Sequence, residues 1–260
     1  MTLDWTPLDR ELDRWQQAGM TLPLWWRDDD AVAPSPALDD LTALAAEVGL
    51  PVHLAIIPAE ADPALAEAIK ARADLIPVVH GWAHRNHAPE GAKKAEFGAH
   101  RPLPVMAKEA RDGMLRLRAL LGPALRPMFV PPWNRIAPEL LTALPGLGYT
   151  AISTFTPRKS ALAAPGLMQV NTHLDPIDWH GSRSLTDPSA LIAQLAAQLA
   201  DRREGHTDNA EPYGVLTHHL VHDAAIWEFT RALLTRLSAG PVTAWTVTPW
   251  TAATEPKDMT

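Results

Sequence analysis

Apolar and polar positions alternate in two different rhythms along this chain, and the rhythm changes repeatedly between short strand-like runs and longer helical ones. Residues 8–18 read as an amphipathic helix ended by Gly19, and residues 22–27 as a first strand. A helix opens at Ser35 or Pro36 and runs to Val48, stopped by Gly49. Residues 52–57 predict a second strand before Pro58, and Asp62-Pro63 starts a helix to about residue 72. Residues 75–79 predict a third strand ending at His80-Gly81, followed by a polar loop from Trp82 to about Arg101. Residues 103–121 are helical up to Gly122, and residues 128–130 form a short fourth strand ending in Pro131-Pro132. A helix over 138–144 precedes a fifth strand at 149–154 and a sixth at 167–172. Asp187-Pro188 begins a helix to about residue 203, and 204–211 is a polar loop. Residues 214–217 predict a seventh strand leading into His218-His219, followed by a helix over 223–237 and a last apolar segment over 242–247. The tail from Thr251 is expected to be loose.

Alternating strands and helices argue for a parallel sheet with helices outside it. Seven or eight such repeats in one chain favour a closed barrel over an open sheet, and no glycine-rich phosphate loop follows the first strand. With no linker or repeat visible, a single domain over residues 1–260 is expected.

Composition narrows the chemistry. At 260 residues, 47% hydrophobic and 20% charged, the chain is an ordinary globular one. A formal charge of −7 without a basic stripe argues against nucleic acid. The absence of cysteine removes disulfides and thiolate metal sites, leaving histidine and carboxylate as ligands. No apolar run is long enough to cross a bilayer. The first 14 residues show neither a basic nor an apolar signal region, so a cytoplasmic location without membrane contact is expected. Composition does not address the oligomeric state.

The chemistry gathers at the predicted C-terminal strand ends, which share one face of a parallel barrel. Asp28-Asp29-Asp30 follows the first strand, His80 and His84 the third, and Pro131-Pro132-Trp133-Asn134-Arg135 the fourth. Asp175-Pro176-Ile177-Asp178-Trp179-His180 follows the sixth, and His218-His219 the seventh. Adjacent carboxylates repel, and a bound cation relieves that repulsion. The His-x-x-x-His spacing of His80 and His84 places two imidazoles on one face of a helical turn, within reach of one metal. With a carboxylate from the first strand, the set has three protein ligands and room for water, the pattern of a catalytic metal site.

These motifs resemble the polysaccharide deacetylase family (NodB homology, carbohydrate esterase family 4), whose five motifs occur in the same order. Their places are taken by Trp26-Arg27-Asp28-Asp29-Asp30, His80-Gly81-Trp82-Ala83-His84, Val130-Pro131-Pro132-Trp133-Asn134, Asp178-Trp179 and Leu216-Thr217-His218, over about residues 22–248. The resemblance implies a distorted (β/α)7-type barrel, a divalent metal held by Asp29, His80 and His84, Asp28 as general base and His218 as general acid. The expected metal is zinc, with cobalt, nickel or iron accepted by the same donors. The implied reaction removes an N-acetyl group from an amino sugar. Hydrolysis of a small non-sugar amide and a carbohydrate- or metal-binding protein without turnover are the alternatives.

Neighbours on an ideal strand point to opposite faces, so Asp28 and Asp29 converge only if the chain bends, and Asp30 competes with Asp29 as ligand. His219 competes with His218 as acid for the same reason. The first amide after the two prolines, that of Trp133, is a candidate oxyanion donor, and Arg135, Asp178 and Trp179 are candidate substrate contacts. Two positions depart from the family pattern: Val130 replaces an arginine that braces the base, and Asp30 replaces a glycine. Arg135 or Arg27 is expected to supply the missing charge. Trp25, Trp26, Trp82, Trp133 and Trp179 lie at or beside these strand ends, where indole faces suit sugar rings. Glu96 is placed either to hold a metal-ligating imidazole or to be solvated, and His53 is expected to be a satisfied core histidine.

Overall fold

Strand β1 (Leu22–Ala31) sits at the centre of the architecture, paired on one side with β2 (Val52–Ile56) and on the other with β8 (Tyr213–Thr217). The structure is a computed structural model that describes residues 3–250, so the tail from Thr251 lies outside the described residues. Beyond β2 the sheet continues through β3 (Leu75–His80), β4 (Met128–Val130), β5 (Ala151–Ile152) and β7 (Leu167–Gln169). Every one of these pairings is parallel. The segment after β7 then joins the two ends of this path. Thr172 bridges Phe155 beyond β5, and Leu174 bridges Val215 of β8. These contacts bend the sheet round into the expected α/β barrel.

One strand was not legible in the apolar pattern, and the last apolar segment supplies another. A short β6 (Leu162–Ala164) forms an antiparallel hairpin with β7, and β9 (Val242–Ala244) pairs with the beginning of β1. β1 is also longer than expected. It runs through the acidic cluster to Ala31 because β8 pairs it as far as Asp28 and β2 as far as Ala31.

Among the described residues, seven α-helices cover the outside: α1 (Thr6–Gln17), α2 (Pro36–Val48), α3 (Pro63–Lys70), α4 (Leu103–Leu121), α5 (Pro138–Ala143), α6 (Pro188–Arg203) and α7 (Ala224–Ala239). Much of the proline content serves helix starts. In α2, α3 and α6 a proline follows a capping Ser35, Asp62 or Asp187, each of which accepts a backbone N–H. None of these helices is long and apolar enough to cross a membrane.

Strand alternation sorts the side chains into two cores. Leu24, Trp26, Leu54, Val79, Phe129 and Ile152 pack outward with helix residues such as Leu41, Met114 and Leu233. Trp25, Ala55, Val78, Met128, Val130 and Ala151 pack with one another inside the barrel. His53 belongs with the inner set and is satisfied at both nitrogens: Val247 N–H donates to Nε2 at 3.1 Å, so Nδ1–H donates to the Trp26 carbonyl at 3.1 Å. Burial holds its pKa down at about 4.

Candidate metal centre

The two-fold alternation of β1 decides what each carboxylate meets. Trp25 faces the barrel interior and Trp26 the helical layer, so Arg27 and Asp29 follow Trp25 inward and Asp28 follows Trp26 outward. Asp28 is wholly buried there. It accepts from the Thr217 hydroxyl at 2.6 Å and from the His219 backbone amide at 3.0 Å, and His219 Nδ1 lies 2.5 Å from its other oxygen. Burial acts to raise the Asp28 pKa, but the charge and hydrogen bonds of His219 outweigh it and lower the value. Burial likewise opposes protonation of His219, and Asp28 overcomes it and raises that pKa. Asp28, expected to be the base, is therefore closed off by its partners, and His219 is committed to the same outward pair.

Asp29 points inward onto Arg27. Arg27 Nη2 donates to Asp29 Oδ2 at 2.9 Å, and Nε lies 2.9 Å from Oδ1 as a charge contact not aligned for a hydrogen bond. The guanidinium is fixed from the far side by Ser153 Oγ at 2.7 Å, the Thr154 carbonyl at 3.3 Å and Asn134 Oδ1 at 2.8 Å. The charge expected from either Arg135 or Arg27 comes from Arg27. Arg135 instead donates to the Lys94 carbonyl at 2.7 Å.

The bend that the sequence reading required falls one residue later than expected. Asp30 has φ 75°, and the β1–β2 register shifts between Asp28 and Ala31. This irregularity brings Asp30 Oδ1 to 3.1 Å from His80 Nε2 and 3.4 Å from His84 Nε2. The carboxylate that meets the imidazoles is thus Asp30, while Asp29, expected as the ligand, is held by Arg27. One donor atom from each of Asp30, His80 and His84 lies within 4.8 Å of the others.

His80 ends β3, and its Nδ1 lies 2.9 Å from the Val130 carbonyl, which orients Nε2 toward Asp30. His84 does not reach the site by a helical turn. Gly81 and His84 both have positive φ, 57° and 51°, and the loop wraps around the buried Glu96 carboxylate. Glu96 accepts from the amides of Trp82 at 3.1 Å, Ala83 at 2.8 Å and Arg85 at 3.4 Å. It holds the loop that carries His84, which is neither of the two roles expected for it. The Trp133 ring packs on His84 with centroids 4.4 Å apart.

Burial would push the His80 pKa down, but Asp29 and Asp30 more than offset it and raise the value. The Asp30 pKa is lowered, because hydrogen bonding and charge from His80, with charge from His218 and His84, overcome the effect of burial. Burial and the nearby His80 lower the pKa of His84. Paired anions that draw a proton onto an imidazole also attract a cation, so this donor set fits a divalent metal.

His218 follows β8, and its ring packs against Trp179 in a T-shaped pair with centroids 4.7 Å apart. Trp179 Nε1 donates to Asp175 Oδ2 at 2.7 Å, and burial raises the Asp175 pKa against the opposing charge of His218. Asp175 belongs to the polar cluster seen in the sequence but was not singled out. Asp178, the expected member, instead accepts from the Gly181 and Ser182 amides at 2.9 Å and closes a turn.

No family model matches the sequence, and no curated protein matches it. Solved structures do. The family 4 carbohydrate esterase from Streptomyces lividans superposes with a TM-score of 0.53 at 16% identity, over 87% of this chain and 93% of that one. The peptidoglycan deacetylase PdaC from Bacillus subtilis gives 0.54 at 11% identity, over 86% and 87%. A family 4 pseudoenzyme from Bacillus anthracis gives 0.50 at 13% identity, over 85% and 63%. At these identities the likeness establishes the fold: this chain has the barrel of the family 4 esterases.

Proposed function

We propose that this chain is a metal-dependent hydrolase that removes an acyl group, N-acetyl in the first instance, from the amide nitrogen of an amino sugar. The observation that carries this reading is the convergence of Asp30, His80 and His84 at the mouth of a barrel shared with carbohydrate esterases. Those three side chains would hold the ion, zinc by expectation, and leave coordination positions open. When bound, the ion supplies Lewis-acid activation of a water and of the acyl carbonyl.

The remaining roles fall to the chain's own groups. Asp29 is the general base: its carboxylate lies beside the triad and Arg27 fixes its orientation. It takes the role that the motif resemblance implied for Asp28. His218 is the general acid that protonates the departing amine, with Trp179 and Asp175 defining its position. The Trp133 amide is the oxyanion donor, and the half-buried rings of Trp133 and Trp179 offer faces to a sugar.

The test is acetate release from a chitooligosaccharide by protein loaded with zinc or cobalt. Wild type is expected to release acetate, and Asp29→Asn to lose about 10²–10⁴-fold in kcat with its metal retained. A second reading is a glycan-binding protein without turnover. Val130 at the arginine position and a pseudoenzyme among the structural neighbours favour it. Metal and glycan binding without acetate release would select that reading, and release from small amides alone would select a non-sugar substrate.

A further inference from the structure

The Nδ1 atom of His218 is buried and has no hydrogen-bond partner among the described residues. Its ring rests on Trp179, and the nearby Asp175 carboxylate accepts from Trp179 Nε1 and from the Ile177 amide instead. An imidazole without a hydrogen bond to fix it is aimed chiefly by the backbone that carries it.

That backbone leaves the sheet at His218. The β1–β8 ladder runs from the Leu24–Tyr213 pair to the Asp28–Thr217 pair and ends there. His218 has φ −143° and ψ 84°, and a short 3₁₀ turn over His219–Val221 follows it. At this exit Asp28 holds both residues that flank His218. Its Oδ2 accepts from the Thr217 hydroxyl at 2.6 Å and from the His219 amide at 3.0 Å, and its Oδ1 lies 2.5 Å from His219 Nδ1. The Thr217 hydroxyl is oriented in turn by Trp26 Nε1 at 2.8 Å. The His218 amide itself donates to His222 Nε2 at 3.4 Å. Trp26, Asp28, Thr217 and His219 are all buried. A carboxylate is costly to bury, and an apolar side chain would fill this outward position, as Leu24 and Trp26 do on the same face. What Asp28 adds over an apolar residue is its hold on the two residues beside His218.

We propose that Asp28 is a positioning residue for the general acid: by holding Thr217 and His219 it fixes the chain on either side of His218 and aims that imidazole at the departing nitrogen. This deepens the deacetylase reading, on which the acid role of His218 rests. Asp28 directly precedes Asp29, so adjacent residues of β1 set the acid and supply the base. In the step concerned the C–N bond breaks, its electron pair stays on nitrogen, and that nitrogen takes the proton from His218. A 4-nitrophenolate keeps its electron pair as a stable anion and leaves without that proton.

This difference between leaving groups separates aiming from general damage. Zinc-loaded wild type, Asp28→Ala, Asp28→Asn and Thr217→Val are assayed on tetra-N-acetylchitotetraose and on 4-nitrophenyl acetate. Asp28→Ala should lose about 10²-fold in kcat on the sugar amide, the cost of a group misplaced by about 1 Å, with less than about threefold lost on the ester. Its zinc content should be unchanged. Asp28→Asn keeps an oxygen that accepts from Thr217 and His219, and should restore most of the amide turnover. Thr217→Val removes one hold without altering a charge and should lose about tenfold on the amide alone; it decides the matter if Asp28→Ala does not fold. Equal losses on the two substrates, full amide turnover in Asp28→Ala, or no recovery in Asp28→Asn overturns the inference and leaves the deacetylase reading intact. Acetate release from neither substrate by wild type removes the deacetylase reading, and the Cε1–Hε1 NMR signal of His218, assigned with His218→Gln, then decides the positioning role. A shifted or broadened signal in Thr217→Val supports it, and an unchanged signal overturns it.

Discussion

Replacing Arg27 with methionine removes a wholly buried guanidinium and leaves Asp29, itself only 4% exposed, without its counter-ion. It also strips Ser153 Oγ, the Thr154 carbonyl and Asn134 Oδ1 of a donor. Breaking a buried pair on one side costs about 3–5 kcal/mol, because the surviving charge stays desolvated. At roughly 2–4 °C per kcal/mol for a chain of this size, the melting temperature should fall by about 6–20 °C. Removing both charges is different: Arg27→Met with Asp29→Asn leaves neither member of this pair charged, and such double replacements are often close to neutral. The double variant should therefore be more stable than Arg27→Met alone, with a coupling energy of about 2–3 kcal/mol. The assay is urea denaturation of chelator-treated protein, followed by tryptophan fluorescence and compared at constant m-value. A cost below about 1 kcal/mol for Arg27→Met, or a coupling energy near zero, would refute the claim that this pair holds Asp29 in the barrel.

Other perturbations test the neighbouring parts. Gly81→Ala places a Cβ about 2.5 Å from Pro132 Cδ and against the Glu96 carboxylate, at φ 57°. It should cost about 1–3 kcal/mol and weaken zinc affinity by shifting His84, as read by thermal melts and chelator competition. Asp28→Asn should lower stability yet retain zinc and most of the turnover, whereas Asp29→Asn should lose about 10²–10⁴-fold in kcat; an equal or larger loss in a folded Asp28→Asn protein would return the base role to Asp28. His53 sets a pH dependence. Its folded pKa, about 4, lies below the ordinary 6.5, so between these values the unfolded chain binds the extra proton. Stability is then full above about pH 6.5 and falls by about 3 kcal/mol as pH drops toward 4. His222, held down to about 4 by burial, acts in the same direction. His53→Gln, which keeps a donor for Trp26 and an acceptor for Val247, should flatten the acid limb of the stability curve without abolishing it.

The barrel and its mouth were legible in the sequence because their signals are local. Strand-length apolar runs, capping residues before prolines and polar clusters at strand ends need no tertiary information. His80 and His84 were legible as a pair, although the helical turn assumed between them is replaced by a loop wound on Glu96. The roles within Asp28-Asp29-Asp30 were not legible, since they depend on a one-residue question of register. Nothing in the sequence announces a non-glycine residue at positive φ, and the left-handed Asp30 is what brings that carboxylate to the imidazoles. The family motif suggested the first two aspartates, whereas the structure sets the third, Asp30, beside the imidazoles and Asp29 on Arg27. A signal was present: Arg27 and Asp29 are two apart and so share a strand face, which places the bracing charge on Asp29 rather than Asp28. Asp175 lay in the same polar cluster as Asp178, and only the fold shows which of them reaches the tryptophan beside His218.

In the proposed mechanism Asp30, His80 and His84 together bind one divalent ion while Asp29 stays with Arg27. Anomalous diffraction at the zinc edge from zinc-soaked crystals tests it most directly. A single strong peak is expected about 2.0–2.2 Å from a carboxylate oxygen of Asp30 and from the Nε2 atoms of His80 and His84, with the Arg27–Asp29 contact preserved. A peak ligated by Asp28 or Asp29 in place of Asp30, or no peak between the two imidazoles at saturating zinc, would contradict it.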